Sequence, residues 1–336
     1  MERKLVSIQR IDHLEPIAGA DNIVKARVMG WDVVVKKGEF SPGDACVFFE
    51  IDSLLPDGAP WAEFMRPRGF RVKTARLRGV LSQGLALPTS ILPGAAPVTA
   101  QLGMDVRDLL GVVKFEPALP DGRDVLGPFP GQVPKTDEIR LQSALGVLDE
   151  LRGEDLFVTT KLDGTSATFF RPLEGELMAC SRNWALRKGD NAVWRMATKY
   201  GLDTVLPPGF AIQGELCGPG IQKNRLGLTE PDLFVFSVHD TRTGRFLGHA
   251  ELVTFCAEHG LRTVPVEQVV TGEAAQAFDH GLEHYLKLAQ GFYPGTKNRK
   301  EGIVVRPLVE RPSPTLGGSR LSFKVINNDF LLKDED

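Results

Sequence analysis

The sequence predicts an α+β protein in two parts: a small all-β module, then a larger domain with mainly antiparallel sheets. Three observations carry this. From Leu5 to about Leu92, short apolar runs alternate at period two between glycine and proline turns. From Pro88 to about Pro134, proline, glycine and alanine dominate. Beyond that stretch, strand-like runs alternate with segments whose apolar residues recur every three or four positions. A chain of 336 residues has room for about two such domains.

In the first part, Val24-Lys25-Ala26-Arg27-Val28, Trp31-Asp32-Val33-Val34-Val35 and Cys46-Val47-Phe48-Phe49-Glu50-Ile51 read as strands. Gly30, Gly38, Pro42-Gly43 and Pro56-Asp57-Gly58 read as the turns between them. Strands this short and close suggest a small sandwich or barrel, and the run resembles OB-type barrels that bind single strands and structured RNA. From Arg66 to Arg78 the charge is one-sided: Arg66, Arg68, Arg71, Lys73, Arg76 and Arg78 occur with no acid among them, and Phe70 is interleaved. Such a cluster is either a solvated edge that resists strand pairing or a phosphate-contacting surface. On an OB-like module the second is favoured, with Arg71, Lys73, Arg76 and Arg78 as nucleic-acid contacts. Thr74 to Leu85 reads as strand, turn at Gly79, strand. The expected boundaries are 1–115 for the OB-like module, 116–134 for a linker and 135–336 for the second domain.

In that domain, Thr136 or Asp137 is placed to cap a helix or turn into Glu138–Gln142, and Leu141, Leu145, Leu148 and Leu151 follow at helical spacing. Strands are expected at Phe157–Lys161, Thr165–Phe170, Phe210–Glu215, Leu233–His239, Ile303–Arg306 and Leu321–Val325. Asn191–Tyr200 reads as a helix. Ala275, Phe278, Leu282, Tyr285, Leu286 and Ala289 mark the apolar face of another.

Composition narrows the class. The chain is 42% hydrophobic and 25% charged, ordinary for a soluble protein. A formal net charge of −3 means that nucleic-acid binding must come from a local patch. Cys46, Cys180, Cys217 and Cys256 are scattered and form no C-x-x-C pair, so neither a zinc ribbon nor a disulfide framework is expected. The start has neither the apolar core of a signal peptide nor the acid-poor character of a transit peptide, and no apolar run is long enough to span a bilayer. A cytoplasmic monomer with no membrane partner is expected.

The candidate centre is Lys161-Leu162-Asp163-Gly164-Thr165-Ser166, read as strand, tight turn and strand with Gly164 permitting the turn. Taken alone, it reads equally well as a surface lysine beside a β-turn. A lysine is a useful nucleophile only when neutral, so in the functional reading nearby positive charge or burial must lower its pKa. Further stretches follow: Ser181-Arg182-Asn183, then Gln213-Gly214-Glu215-Leu216 with a carboxylate near the end of an apolar strand. Phe234 and Phe236 share one strand face. Glu301 precedes another strand, and Lys324 lies among Phe323, Val325 and Ile326, where a cation needs a partner or a route to water.

In order and spacing, these stretches resemble the collinear motifs of the covalent nucleotidyltransferases: the ATP-dependent DNA and RNA ligases and the mRNA capping enzymes. Within that group, Gly214-Glu215-Leu216-Cys217-Gly218-Pro219-Gly220-Ile221-Gln222 and Ser322-Phe323-Lys324-Val325-Ile326-Asn327 are similar to the RNA ligase 2 family. Glu39–Leu55 and Arg71–Leu85 are similar to the OB module of the subgroup typified by the Deinococcus RNA ligase. The resemblance covers nearly the whole chain. It implies an RNA ligase joining 3′-OH RNA ends to 5′-phosphate ends with ATP and magnesium or manganese, acting in RNA repair at nicks in duplexes whose 3′-OH strand is RNA. It implies that Lys161 takes AMP as a phosphoramidate, and that Asp163, Glu215 and Glu301 surround the metal and its waters. Arg182 would contact the AMP ribose or the nucleic-acid phosphate. Gly164 and Ser166 would lie on the nucleotide, Ser166 at the ribose. Phe236, with Phe234, would stack on adenine, and Lys324 would hold the α-phosphate.

Two departures stand out. Ser322 occupies the first position of a motif that often carries two lysines, leaving the phosphate role to Lys324 alone or with Lys333. Gln222-Lys223-Asn224 inserts a charge. Twelve residues follow Lys324, and the expectation is that no C-terminal OB domain of the DNA-ligase and capping-enzyme kind is present, which favours RNA ligation. The competing readings are an ATP-dependent DNA ligase and a non-catalytic RNA-binding protein.

Overall fold

The computed structural model describes residues 4–94, 101–115 and 124–333 and divides the chain into two units, Met1–Ala118 with Leu331–Asp336, and Leu119–Phe330. Residues 116–123 of the expected linker and the side chain of Lys333 lie outside what is described.

In the first unit, β1 (Val6–Arg10), β5 (Ala45–Phe49) and β9 (Leu85–Pro88) form one antiparallel sheet, and β2 (His13–Pro16), β3 (Ile23–Val28) and β4 (Trp31–Lys36) a second. A hairpin, β7 (Thr74–Leu77) with β8 (Val80–Gln83), and the pair β6 (Ser53–Leu54) with β10 (Val113–Lys114) complete it. Alternation works as expected in β4, where Trp31, Val33 and Val35 are buried against Ala26, Val28 and Phe48. The expected barrel is not closed among the described residues. At Gly84, φ +111°, the backbone passes so close to β5 that a Cβ would meet the Phe48 ring at 2.7 Å. Gly84 stands between β8, paired with β7, and β9, paired with β5.

The second unit holds two sheets. One has eight strands, in the order β11 (Val125–Pro128), β16 (Trp184–Leu186), β15 (Met178–Cys180), β14 (Thr165–Phe170), β17 (Phe210–Cys217), β18 (Asp232–Asp240) and β19 (Arg245–Phe246), with β20 (Arg262–Thr263) parallel to β18. The other has five, in the order β12 (Ile139–Arg140), β23 (Phe323–Ile326), β22 (Gly302–Pro307), β13 (Leu156–Lys161) and β21 (Val266–Val270). Apart from β12–β23 and β18–β20, every pairing is antiparallel. Helices Ala192–Lys199 and His249–Glu258 contribute to the core with the larger sheet, and Tyr285 of helix Leu282–Leu288 to the core with the smaller. Asn191 caps the first of these helices by accepting the Trp194 N–H.

Three expectations are corrected. Residues 125–128 are not linker but an edge strand, a position where Gly127 and Pro128 are tolerated. Ile139–Arg140 is not helical entry but a strand drawn into parallel pairing with β23; Leu141, Leu148 and Leu151 are buried as their spacing suggests, in a 3-10 turn, in the short helix Val147–Glu150 and just after it. The helix expected through Ala275–Ala289 is broken into Glu273–Gln276 and Leu282–Leu288, because the Asp279 carboxylate accepts the Gly281 N–H and turns the chain.

Candidate active site

Lys161 ends β13 in the five-stranded sheet, and after three residues the chain enters β14 in the eight-stranded sheet. The Lys161–Gly164 turn therefore does not close a hairpin; it is the crossover between sheets. Gly164 is needed for close approach rather than for a left-handed turn: a Cβ there would lie 2.4 Å from the Leu216 carbonyl oxygen and 2.9 Å from Glu215 Cγ. Glu215 lies on β17 opposite Ser166 of β14 and Phe234 of β18. Glu301 immediately precedes β22, and Lys324 lies on β23 between Val304 and Arg140 of the flanking strands. Glu215 thus comes from one sheet, and Lys161, Glu301 and Lys324 from the other.

The crossover gathers charge. Lys161 Nζ donates to Glu301 Oε2 at 2.7 Å, and the two side chains are only 22% and 19% exposed. Asp163 Oδ2 accepts from Arg225 Nε at 2.9 Å, and Arg225 lies over the Phe330 ring. The Gly164 backbone favours the charged form of Glu215. Burial pushes the Glu215 carboxyl up to about 7; Lys161 opposes the rise, while Glu301 and Asp163 reinforce it. Lys324 is pushed down to about 7, first by burial, then by Lys161 and Arg140. Lys161 moves the other way from the sequence expectation. Burial alone would lower its pKa, but Glu301, Glu215 and Asp163 outweigh burial and hold it above the ordinary lysine value. The two lysines repel, but it is Lys324, with Lys161 and Arg140 beside it, that carries the lowered pKa.

The remaining candidates line the same unit. Phe234 and Phe236 share a half-buried face of β18 and pack with Leu162, Cys217, Val264 and Tyr293. Ser166 Oγ is 2.8 Å from Thr136 Oγ1. Arg182, half-exposed between β15 and β16, is ion-paired with Asp137. Ser322 is buried and accepts from Arg306 Nε at 2.9 Å. Arg306, 3% exposed, also donates to the Phe236 carbonyl at 2.5 Å and to Glu138 at 2.7 Å, tying β18 to the smaller sheet. Among the described residues, no three carboxylate, imidazole or thiolate side chains form a ready chelate for a metal. The converging donors are hard oxygens, and the half-buried Glu215, its carboxyl pushed up by burial and by Glu301 and Asp163, marks a locus where added positive charge is favoured. That fits an ion that keeps part of its water shell.

The basic stretch of the first unit is less one-sided in space than in sequence. Arg66 is held by Asp57 and Glu63, and Arg71 by Asp52 while stacking on Phe115. Lys73, Arg76 and Arg78 are exposed, the last at the tip of the β7–β8 hairpin.

Arg225 and Tyr293 escaped the sequence reading, which marks Asp137 only as a capping residue. The run Gln222–Arg225 carried a signal in its odd charge: Gln222 and Asn224 both adopt positive φ, and this looped backbone carries Arg225 to Asp163. Tyr293 sits in a turn-rich stretch, distinguished only as one of 3 tyrosines.

A family model of RNA ligases matches residues 154–326, and an OB-fold domain model matches residues 5–89. No curated protein matches the chain. Among solved structures, Naegleria gruberi RNA ligase with pyrophosphate is 34% identical over 99% of each chain, with a TM-score of 0.86. A lysine-to-alanine mutant of that enzyme with ATP and manganese is 33% identical over 98% of each chain, TM-score 0.84. A glutamate-to-alanine mutant with AMP and manganese gives the same 33%, 98% of each chain and 0.84. An OB-fold module precedes a ligase domain of mainly antiparallel sheets, as expected. The chain belongs to the RNA ligase family. No helix among the described residues is long and apolar enough to cross a membrane.

Proposed function

We propose that the protein is an ATP-dependent RNA ligase that forms a covalent lysyl-AMP at Lys161, passes AMP to an RNA 5′-phosphate, and joins that end to a 3′-OH with release of AMP. The observation that carries this reading is the Lys161–Glu301 contact at the crossover, with Glu215 near enough to raise the Lys161 pKa and Lys324 near enough for Lys161 to lower its own. Glu301 Oε2 stands where it can accept a proton from Nζ. The freed lone pair would attack the α-phosphorus, a P–N bond forming as the bond to pyrophosphate breaks. Lys324, in repulsive reach of Lys161, is suited to neutralise the α-phosphate oxygens. Asp163, Glu215 and Glu301 would hold a manganese or magnesium ion, which supplies Lewis-acid charge on the phosphates. Phe234 and Phe236 offer a half-buried face for adenine, and Gly164, Ser166 and Arg182 lie on the strands and bends beside it. The likeness to an RNA ligase crystallised with ATP, AMP and manganese supports this nucleotide and metal. The substrate we propose is a nick in a duplex whose 3′-OH strand is RNA, with Lys73, Arg76 and Arg78, and Arg71 through its exposed face, contacting phosphates.

The test is intact mass or labelling after incubation with α-labelled ATP and manganese. An AMP adduct is expected in the wild type and absent in Lys161→Ala. A folded, unadenylylated wild type that forms none would sink the reading in favour of non-catalytic RNA binding. A nick series varying only the 3′-terminal sugar separates RNA from DNA sealing.

A further inference from the structure

We propose that Tyr293 is a positioning residue for the adenylylation centre, its single hydroxyl setting Lys161, Asp163 and Glu301 relative to one another. The inference rests on the proposed chemistry at Lys161. The β13–β22 ladder ends where Lys161 faces Gly302. Asp163 lies beyond that end on one strand and Glu301 beyond it on the other, so their amides need a partner outside the ladder. Tyr293 Oη accepts the Asp163 N–H at 2.9 Å and the Glu301 N–H at 3.1 Å, and donates to the Lys161 carbonyl at 3.1 Å. A phenolic hydroxyl has one donor and two acceptor sites, and here each is taken by the backbone of a different candidate residue.

The ring is as constrained as the hydroxyl. Tyr293 is 2% exposed and packs with Leu162, Cys217 and Val264. Its own loop is pinned: the Tyr293 N–H donates to the Asn298 carbonyl at 3.0 Å, and Thr296 Oγ1 donates to the Tyr293 carbonyl at 3.0 Å. Asn298 Nδ2 donates to the Arg225 carbonyl at 2.8 Å, so the same loop supports the guanidinium that pairs with Asp163. The hydroxyl is bonded to backbone, so it acts through the placement of the side chains it brackets. Reacting groups displaced by about 1 Å lose rate up to about 100-fold.

The experiment compares wild type, Tyr293→Phe and Tyr285→Phe in single-turnover labelling with α-labelled ATP and manganese, each rate normalised to folded protein. Tyr285 is also buried, and its hydroxyl bonds His280 outside the centre, so its variant reports the general effect of losing a buried phenol. Tyr293→Phe is expected to slow labelling about 10- to 100-fold at saturating ATP, with the half-saturating ATP concentration changed by less than about threefold. Tyr285→Phe is expected to label at the wild-type rate. A wild-type rate in folded Tyr293→Phe, or an equal loss in Tyr285→Phe, overturns the proposal. Hydrogen exchange on the wild type guards against a variant that does not fold: the Asp163 and Glu301 amides should be protected like those of β13, and rapid exchange at both refutes the hydrogen bonds. A wild type that forms no adduct refutes the chemistry at Lys161 instead, and leaves the exchange result standing.

Discussion

The charges at the sheet crossover and those on the β7–β8 hairpin obey different physics. At the crossover, Lys161, Asp163, Glu215 and Glu301 are removed from bulk water and answer to named neighbours. On the hairpin, Lys73, Arg76 and Arg78 face solvent. In the first region geometry decides the energy, and one displaced partner strands a charge. In the second, screening decides, and each charge adds a small, salt-dependent increment. The comparison extends to the two lysines: acids hold the proton on Lys161, while burial and cations push Lys324 toward neutrality. Position among neighbours, not residue type, makes them different groups.

The largest effect should come from breaking a buried pair. Arg225→Met leaves Asp163 without its guanidinium and is expected to cost about 3 kcal/mol in urea unfolding and to slow labelling; an unchanged midpoint would show that the ion pair stabilises nothing. Gly164→Ala forces a methyl group against the Leu216 carbonyl and should destabilise by about 2 kcal/mol, with loss of adduct formation. Lys324→Met should abolish activity yet stabilise the metal-free, nucleotide-free protein by about 1 kcal/mol at neutral pH. The sign follows from its folded pKa of about 7, below the ordinary 10.5: the penalty is full below pH 7 and fades as pH rises toward 10.5. Melting curves in chelator across that range should show the gain shrinking; a gain that grows with pH would contradict the assignment. The smallest effect belongs to the hairpin. Arg76→Ala with Arg78→Ala should leave labelling intact and flatten the salt dependence of RNA affinity by about 1 to 2 in log–log slope. An unchanged slope would mean that the hairpin does not touch phosphate.

Much of the site could be read from residue order, because its motifs are local. Lys161-Leu162-Asp163-Gly164, Gly214-Glu215 and Lys324 within an apolar strand are each ambiguous alone, and it is their order and spacing, resembling a known family, that marks them. Arg225 and Tyr293 carry no such mark, since their partners lie 62 residues from Arg225 and as many as 132 from Tyr293. The stretch Arg66–Arg78 is all basic in sequence but not in space, because Asp52, Asp57 and Glu63, all outside it, pair with Arg71 and Arg66 and leave Lys73, Arg76 and Arg78 as its exposed cations.

By itself the sequence determined the α+β class and the small all-β module before a larger domain, because period-two alternation and turn residues act over a few neighbours, while the ligase reading and its charged residues came from the resemblance of ordered short motifs to a known family. Only the tertiary structure decided that the Lys161 turn crosses between sheets, that residues 125–128 extend one of them, and that acids hold Lys161 above the ordinary lysine value while burial and cations push Lys324 down to about 7. Those outcomes depend on which distant strands pair and which charges burial brings together, and no local pattern encodes them.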